Sequence, residues 1–392
     1  MKPILPAATG ADGRPATLGV MGGGQLGRMF VHAAQAMGYF TAVLDPDPVS
    51  PAGRVAHYHI NTAYLDEQGL AQLMQRCAAI TTEFENVPAP ALATLGAHRV
   101  VAPGAQAVAC CQHRGREMAQ FERCGVPCAP WAYLESEADH ASARDELFPG
   151  VLKTAQLGYD GKGQVAVPTR AALAGAHAAL DGVPCVLEAR LPLELEVSVI
   201  VARSAADEWV HLPPQQNLHR HGILAVTQVP APGLHAASAA LAIEYAGRLA
   251  EALDYVGVLC VEFFVLADGS LVANEMAPRP HNSGHYSVDA CDVSQFELQV
   301  RTLAGLPLCP PRLHSPAVML NLLGELWFSG DRERTPPWPE LLALPGVHLH
   351  LYGKMSARAG RKMGHLTVTA ATPAQALVVA RQAAALLGLE PF

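Results

Sequence analysis

Two glutamates on either side of a tight turn carry the first chemical signal in this sequence. Glu262 lies in "GVLCVEFFVLADGS" and Glu275 in "LVANEMAP". Asp268-Gly269 between them has the composition of a two-residue type I′ turn, which pins hairpin register. Without a bulge, Ala267 pairs with Ser270, Val265 with Val272, and Glu262 with Glu275. Like charges directly opposite on an apolar ladder are destabilising, and in a low-dielectric site both cannot stay ionised unaided. A divalent cation removes that conflict. Hard oxygen ligands beside the amide of Asn274 suit Mg2+, with phosphates completing its shell. The plainer reading has one glutamate turned to solvent or paired with an arginine.

Four other stretches bear chemistry. "GYDGKGQ" (158–164) holds three glycines between two strand-like runs. It makes either a flap whose N–H groups cover phosphates or an ordinary hairpin turn. Lys153, on the preceding "VLKTA", can bury its stem and aim its head at a ligand. The spacing is not that of a Walker A loop. "GGGQLG" places Gly22, Gly24 and Gly27 between a strand and a helix, with Asp45 ending the next strand. That is the dinucleotide fingerprint and equally a helix N-terminus for any phosphate or carboxylate. It raises the rival reading of a nicotinamide-dependent oxidoreductase, which leaves the carboxylate pair and the second glycine loop unexplained. "GKMSARAGRKMGH" clusters Lys354, Arg358, Arg361, Lys362 and His365, either as a solvated loop or as a grip for an anionic group. "NEMAPRPHNSGH" (274–285) packs Arg279, His281, Asn282 and His285 after a buried strand, and Pro278 and Pro280 end the ladder because neither can donate to it.

The elements that must position these groups follow from local signals. "ATLGVMGGGQLGRMFVHAAQAMGYFTAVLDPDP" (16–48) reads as a βαβ unit, its helix running from Gln25 to Met37 and stopping at Gly38. "ITTEFENVP" (80–88) and "RVVAPG" (99–104) add strands to a first domain. "HRGREMAQFERCGVP" (113–127) is a helix ended by Gly125 and Pro127. "PGVLKTAQLGYDGKGQVAVP" (149–168) and "PCVLEARLPLELEVSVIVAR" (184–203) are strand pairs. "HAASAALAIEYAGRLAEALD" (235–254) is a helix with Leu241, Tyr245, Leu249 and Leu253 four apart. A Pro-rich bridge (306–316) precedes a last segment with strands "AVMLNLLG", "VHLHLYG" and "HLTVTA" and a helix at 373–388.

Composition bounds the function classes. The 392 residues allow two or three domains. The net charge of −8 and pI of about 6.1 lack the basic footprint of a nucleic-acid binder. No apolar run is long enough for a bilayer. The first 15 residues lack the apolar stretch of a secretory signal and read as a disordered extension. Nine scattered cysteines without a C-x-x-C pair read as buried reduced thiols, which points to the cytoplasm.

In order along the chain, GGGQLGRM, EFENV, GYDGKGQ, EVSVI, QNLHRHGIL, VEFF, NEMAPRPHNSGH, SQFELQVR and GRKMGH resemble the N5-carboxyaminoimidazole ribonucleotide synthases, biotin-independent ATP-grasp enzymes of purine biosynthesis. The resemblance runs from Ala16 to the C-terminal helix. It implies an α/β and α+β architecture. A Rossmann-like PreATP-grasp domain spans 16–112, an ATP-grasp domain 113–305 with a lid at about 125–190, and a β-rich C-terminal domain 306–392. By motif position it implies ATP contacts from Arg114, Lys153, Gly158, Tyr159, Asp160, Gly161, Lys162, Gly163, Gln164, Glu188, Ala189, Arg190, Leu191, Glu196, His219, Asn274 and Glu275. Glu262 and Glu275 become the Mg2+ (or Mn2+) ligands. The ribonucleotide is expected against Gln25, Leu26, Glu83, His281, Asn282, Ser283, His285, Lys354 and Arg361. Lys153 and Arg279 are the expected catalytic groups, with Arg279 stabilising carboxyphosphate. The implied reaction joins aminoimidazole ribonucleotide and bicarbonate at the expense of ATP, in a homodimer with no membrane or nucleic-acid partner. The nearest alternative is another ATP-grasp ligase, such as the formate-dependent glycinamide ribonucleotide transformylase. Met118 stands where many relatives carry lysine, and the segment after Lys153 lacks arginines that some relatives have.

Overall fold

The computed structural model describes residues 2–9, 13–158, 162–330 and 332–392. The chain opens with alternating strands and helices: β1 (Thr17–Met21), α1 (Gln25–Ala36), β2 (Phe40–Leu44), β3 (Tyr58–Ile60), α2 (Glu67–Arg76), β4 (Ala79–Thr82), α3 (Ala89–Gly96), β5 (Val100–Val101) and α4 (Ala105–Cys111). The five strands pair in parallel in the order β3-β2-β1-β4-β5. Every residue of β1 is buried, as a central parallel strand requires. α1 turns Leu26, Phe30, Val31 and Ala34 inward and ends at Met37, after which Gly38 takes φ +87°.

The segment 1–15 is expected to be disordered, but within it Ile4 is docked. Ile4 N–H donates to Ala304 O (2.8 Å), Tyr39 Oη–H donates to Ile4 O (2.6 Å), and Ile4 packs against the core under α1. Pro3 and Pro6 bracket Ile4 and Leu5, so less chain entropy opposes this contact.

α5 (Arg114–Arg123) leads into a small antiparallel sheet of order β6-β9-β7-β8, built from β6 (Trp131–Leu134), β7 (Gly150–Thr154), β8 (Gln164–Val167) and β9 (Cys185–Ala189), with α6 (Leu173–Ala178) between the last two. Met118 of α5 is fully buried among apolar side chains, so this position packs the core and carries no charge contact.

The rest of the chain forms β10 (Leu193–Arg203), β11 (Trp209–His211), β12 (Gln215–Arg220), β13 (Ile223–Val229), α7 (Ala236–Ala252), β14 (Gly257–Leu266), β15 (Leu271–Ala277), α8 (Ser287–Ala290), α9 (Gln295–Ala304), β16 (Ala317–Leu323), the ribbon β17 (Phe328–Ser329) and β18 (Arg332–Glu333), α10 (Trp338–Leu342), β19 (Val347–Leu351), β20 (Lys362–Thr369) and α11 (Pro373–Leu387). Eight of these strands run β15-β14-β10-β12-β13-β16-β20-β19, and β11 pairs with β10. The Pro-rich bridge therefore does not end the sheet. β16 pairs with β13, which covers a strand edge that would otherwise present unpaired backbone groups. In α7 the deepest positions are Ala242, Ala246, Leu249 and Ala250, while Leu241, Tyr245 and Leu253 are only half-buried. Small residues let this helix lie close on β10 and β14.

Candidate active site

A cleft of about 670 Å³ opens between the small sheet and the large one. Its walls come from every segment of the chain. Gln25 and Leu26 enter from α1, and Glu83 and Glu85 from the loop after β4. Arg114 and Glu117 come from α5, and Lys153 from β7. Gly158, Lys162, Gly163 and Gln164 come from the glycine loop, and Glu196 and His219 from β10 and β12. Glu262 comes from β14, Asn274 and Glu275 from β15, and Arg279, His281, Asn282 and Lys362 from the far side. Tyr159, Asp160 and Gly161 lie outside the described residues. A second pocket of about 270 Å³ adjoins it, lined by Lys354 and Arg361 and sharing Gln25 and Glu83.

The two glutamates do face each other, Glu262 opposite Glu275, but not by the turn anticipated. Leu266 C=O accepts from Gly269 N–H (2.8 Å) and Gly269 alone takes positive φ (+82°), so the loop has three residues, not two. This shifts the first pairs to Val265 with Leu271 and Phe264 with Val272. A bulge at Asn274 restores the register before the glutamates. The two irregularities cancel. The bulge frees backbone groups that α5 collects: Arg114 Nη1 donates to Asn274 O (2.5 Å), and Met276 N–H donates to Glu117 Oε1 (2.5 Å).

Glu262 Oε1 is buried without a hydrogen bond, and the imidazole Nε2 of His281 lies 3.4 Å from it, the His281 pKa being lowered by burial. Burial, then the neighbouring Glu275 and Glu196 charges, push the Glu262 carboxyl up to about 7 against the opposing pull of His219. An unpartnered carboxylate oxygen facing a second carboxylate, with an amide beside it, is a donor set that fits a hard divalent cation. His219 Nδ1 and Glu196 Oε2 lie 2.5 Å apart at the edge of this group. Burial lowers His219, but the bond to Glu196 and the charge of Glu262 prevail and raise it.

Across the cleft the charges are matched. Glu188 receives Arg114 in two parallel bonds (Nε to Oε1, 2.6 Å; Nη2 to Oε2, 2.7 Å) and Lys153 Nζ at 3.0 Å. Burial works to raise this carboxyl, yet Arg114 and Lys153 outweigh it and hold it at about 2. Burial and the nearby Arg114 lower Lys153. Glu188 thus sits behind the two cations and does not line the cleft. Ala189, Arg190 and Leu191, expected as nucleotide contacts, also lie outside the cleft lining.

The first glycine loop is already filled by the protein's own acids. Asp45 Oδ2 accepts from Gly23 N–H (2.7 Å) and Tyr64 Oη (2.7 Å), while Glu83 accepts from Gly24 N–H (2.9 Å) and Gly27 N–H (3.0 Å). Three of the loop's N–H groups are thereby taken, and two carboxylates stand where the negative charge of a pyrophosphate would lie; Asp45 Oδ1 also accepts from Asp47 N–H (2.8 Å). The dinucleotide reading falls on this geometry. Glu83 emerges chiefly as the cap of α1.

Among the polar residues after β15, Arg279 Nε–H donates to Glu85 Oε2. Burial works to lower Arg279, but the Glu85 charge dominates and raises it. His281 and Asn282 reach the cleft. Ser283 and His285 do not: both are fully buried, Ser283 on Ser198 (2.8 Å) and His285 against Gln295 (3.1 Å). The one-turn 3-10 segment Asn282–Gly284 points them into the interior, which corrects their assignment to the ribonucleotide. In the basic loop, Arg358 is exposed outside both pockets and His365 is buried beneath it. Burial, then Arg361, lowers Lys354 to about 8.

Glu85 and Glu117 were missed as site residues. Both stand in quoted motifs, "EFENV" and "HRGREM". The Arg114/Glu117 spacing of three on a helix is the signal that marks Glu117.

Comparison with known proteins places this geometry in a family. Residues 16–112 match the ribonucleotide synthetase preATP-grasp domain, 119–296 the ATP-grasp domain, and 317–378 the phosphoribosylaminoimidazole carboxylase C-terminal domain. The N5-carboxyaminoimidazole ribonucleotide synthase of Brucella melitensis is 44% identical over 90% of this chain and 95% of its own length. The Staphylococcus aureus N5-carboxyaminoimidazole synthetase complexed with ADP superposes with a TM-score of 0.87 at 36% identity, covering 98% of this chain and 99% of that one. The Aspergillus clavatus enzyme in complex with ADP and 5-aminoimidazole ribonucleotide superposes with a TM-score of 0.87 at 30% identity, covering 95% and 99%. This chain belongs to the N5-carboxyaminoimidazole ribonucleotide synthase family.

Proposed function

We propose that this chain carboxylates 5-aminoimidazole ribonucleotide with bicarbonate, using ATP and releasing ADP and phosphate. It is an ATP-grasp ligase of purine biosynthesis. The observation that carries the assignment of roles is the cleft itself: a facing pair of carboxylates, with one buried Glu262 oxygen lacking a hydrogen bond, shares it with Lys153 and the glycine-loop residues Gly158, Lys162 and Gly163, and a pocket bearing Lys354 and Arg361 adjoins it. ATP lies between the small sheet and the large one, with Lys153 and the N–H groups of Gly158, Lys162 and Gly163 on its phosphates. Glu262, Glu275 and Asn274 hold Mg2+, or Mn2+ in its place. Bound there, the ion neutralises charge developing on the phosphates. Bicarbonate attacks the γ-phosphate to give carboxyphosphate, and the exocyclic amine of the ribonucleotide takes up the carboxyl group. Arg279 stabilises the carboxyphosphate, exchanging part of its bond to Glu85. Carboxyphosphate reacts with water, so the cleft must keep water from it until the amine takes up the carboxyl group. Gln25, Glu83, His281 and Asn282 border the acceptor, and Lys354 and Arg361 take its phosphate.

The division into segments 16–112, 113–305 and 306–392, a homodimeric assembly and a cytoplasmic location belong to the same reading. No helix among the described residues is long and apolar enough to cross a membrane. A coupled ADP-release assay tests the reaction: turnover requires both the ribonucleotide and bicarbonate. A requirement for formate, or an absorbance change with nicotinamide alone, overturns it. Glu275→Gln abolishes ADP release, and an unchanged rate in that variant overturns the metal assignment.

A further inference from the structure

A second group of metal-ligating side chains lies away from the cleft, where α8 meets β19 and β20. "VHLHLYG" puts His348 and His350 two apart on one strand, hence on one face. His350 is the direct cross-strand partner of His365. Asp289 reaches in from α8: its Oδ2 lies 2.8 Å from His350 Nε2 and its Oδ1 3.7 Å from His348 Nδ1. Ligand atoms of Asp289, His350 and His365 all fall within 4.8 Å of one another. His365 is fully buried and its Nε2 has no hydrogen-bond partner, while Nδ1 is 2.9 Å from Tyr352 Oη.

We propose that Asp289, His350 and His365 form a transition-metal site, of which zinc is the natural occupant, with His348 or a water as fourth ligand. Imidazole nitrogens with one carboxylate favour such an ion over Mg2+, which prefers oxygen. Tetrahedral zinc at about 2.0–2.1 Å from each ligand needs ligand atoms roughly 3.3 Å apart, so the widest separation in the group must close by up to about 1.5 Å. The rings of His350 and His365 stack 4.5 Å apart at 11°. One must therefore turn, and His350, with 29% of its side chain exposed, has the room. The contact of Tyr352 with His365 Nδ1 leaves Nε2 as the free ligand atom, the usual outer-shell arrangement for a metal histidine. The site ties a helix that follows the "HNSGH" run to two strands beyond the Pro-rich bridge, so its role is a staple between those segments. It is independent of the cleft cation.

The test uses full-length protein stripped with EDTA and dialysed into excess Mg2+, which occupies oxygen-rich sites. Zn2+ titration followed by desalting and elemental analysis is expected to retain one zinc per chain, with thermal unfolding raised by several degrees. Co2+ is expected to give an intense tetrahedral visible band. Asp289→Asn and His350→Ala each lose at least tenfold in zinc affinity and lose the cobalt band, while Glu262→Gln keeps both. Ligation by His348 is read from a tenfold loss in His348→Ala; no loss there assigns water as fourth ligand and leaves the three-residue site standing. ADP-forming activity of Asp289→Asn serves as the check on folding. Equal zinc retention in wild type and both variants, no retention at all, or loss in Glu262→Gln alone overturns the proposal.

Discussion

The two sides of the cleft hold buried carboxylates of opposite character. Glu188 is met by Arg114 and Lys153 within 3.0 Å and stays ionised, held at about 2. Glu262 meets another carboxylate and an imidazole 3.4 Å away, keeps one oxygen unbonded, and is raised to about 7. The first is neutralised by the protein's own cations; the second lacks such a partner, which the proposed divalent cation would supply. The same kind of residue is a structural anchor in one place and a proposed ligand in the other, because burying a charge is costly where no partner is supplied.

The largest expected break in this contrast is Glu262→Gln. It removes a proposed metal ligand worth several kcal/mol in the transition state, so kcat for ADP release should fall about a thousandfold, equivalent to about 4 kcal/mol. The ligand-free fold should be as stable as before or more so, since the amide carries no charge to bury. Stopped-time ADP assays and urea unfolding read both quantities. A variant that loses stability but not activity reverses the assignment.

Glu188→Gln should do the opposite to stability. It leaves Arg114 and Lys153 buried without their counter-charge and costs about 3 kcal/mol in urea unfolding. A cost under 1 kcal/mol would show that the pair is not buried in solution.

The pH dependence sharpens the comparison. The Glu262 carboxyl is raised in the folded state, and so is Glu117, to about 7 by burial despite Arg114. Their contribution is fully present below the unfolded value near 4.5 and is lost as pH rises through about 7. Glu188 is depressed, so its contribution is present above about 4.5 and is lost as pH falls toward 2. Added Mg2+ should therefore raise the melting temperature more at pH 8 than at pH 6, because the ion needs the ionised Glu262. An equal rise at both pH values would exclude Glu262 as ligand.

The smallest effect concerns the hairpin. A Cβ on Gly269 meets nothing within 4 Å, so Gly269→Ala costs only its strained φ, about 1 kcal/mol, without touching activity. A large activity loss would mean that the loop, and not the bulge at Asn274, sets the facing of Glu262 and Glu275.

Local signals carried much of the fold. The βαβ start, the helix over 114–123 and the strand hosting Lys153 follow from periodicity and caps, and the opposed glutamates from hairpin composition. Their facing was right for an incomplete reason, since a three-residue loop and a bulge compensate each other. Turn type depends on a backbone angle at Asp268 that composition does not report. The docked segment at Ile4, the sheet continuing through β13 and β16, and the burial of Ser283 and His285 were not legible, because each depends on a partner distant in the chain.

The sequence by itself determined which residue types are present for phosphate, metal and carboxyl chemistry, and their order, which is specific enough to mark the family. Only the tertiary structure decided which charges are already paired. Glu83 and Asp45 fill the first glycine loop, Glu188 holds Arg114 and Lys153, Glu85 holds Arg279, and Glu262 is the one among these acids with a fully buried oxygen that has no hydrogen bond. The physical reason is that a carboxylate's availability depends on what lies within hydrogen-bond reach. That distance is set by folding, not by spacing along the chain.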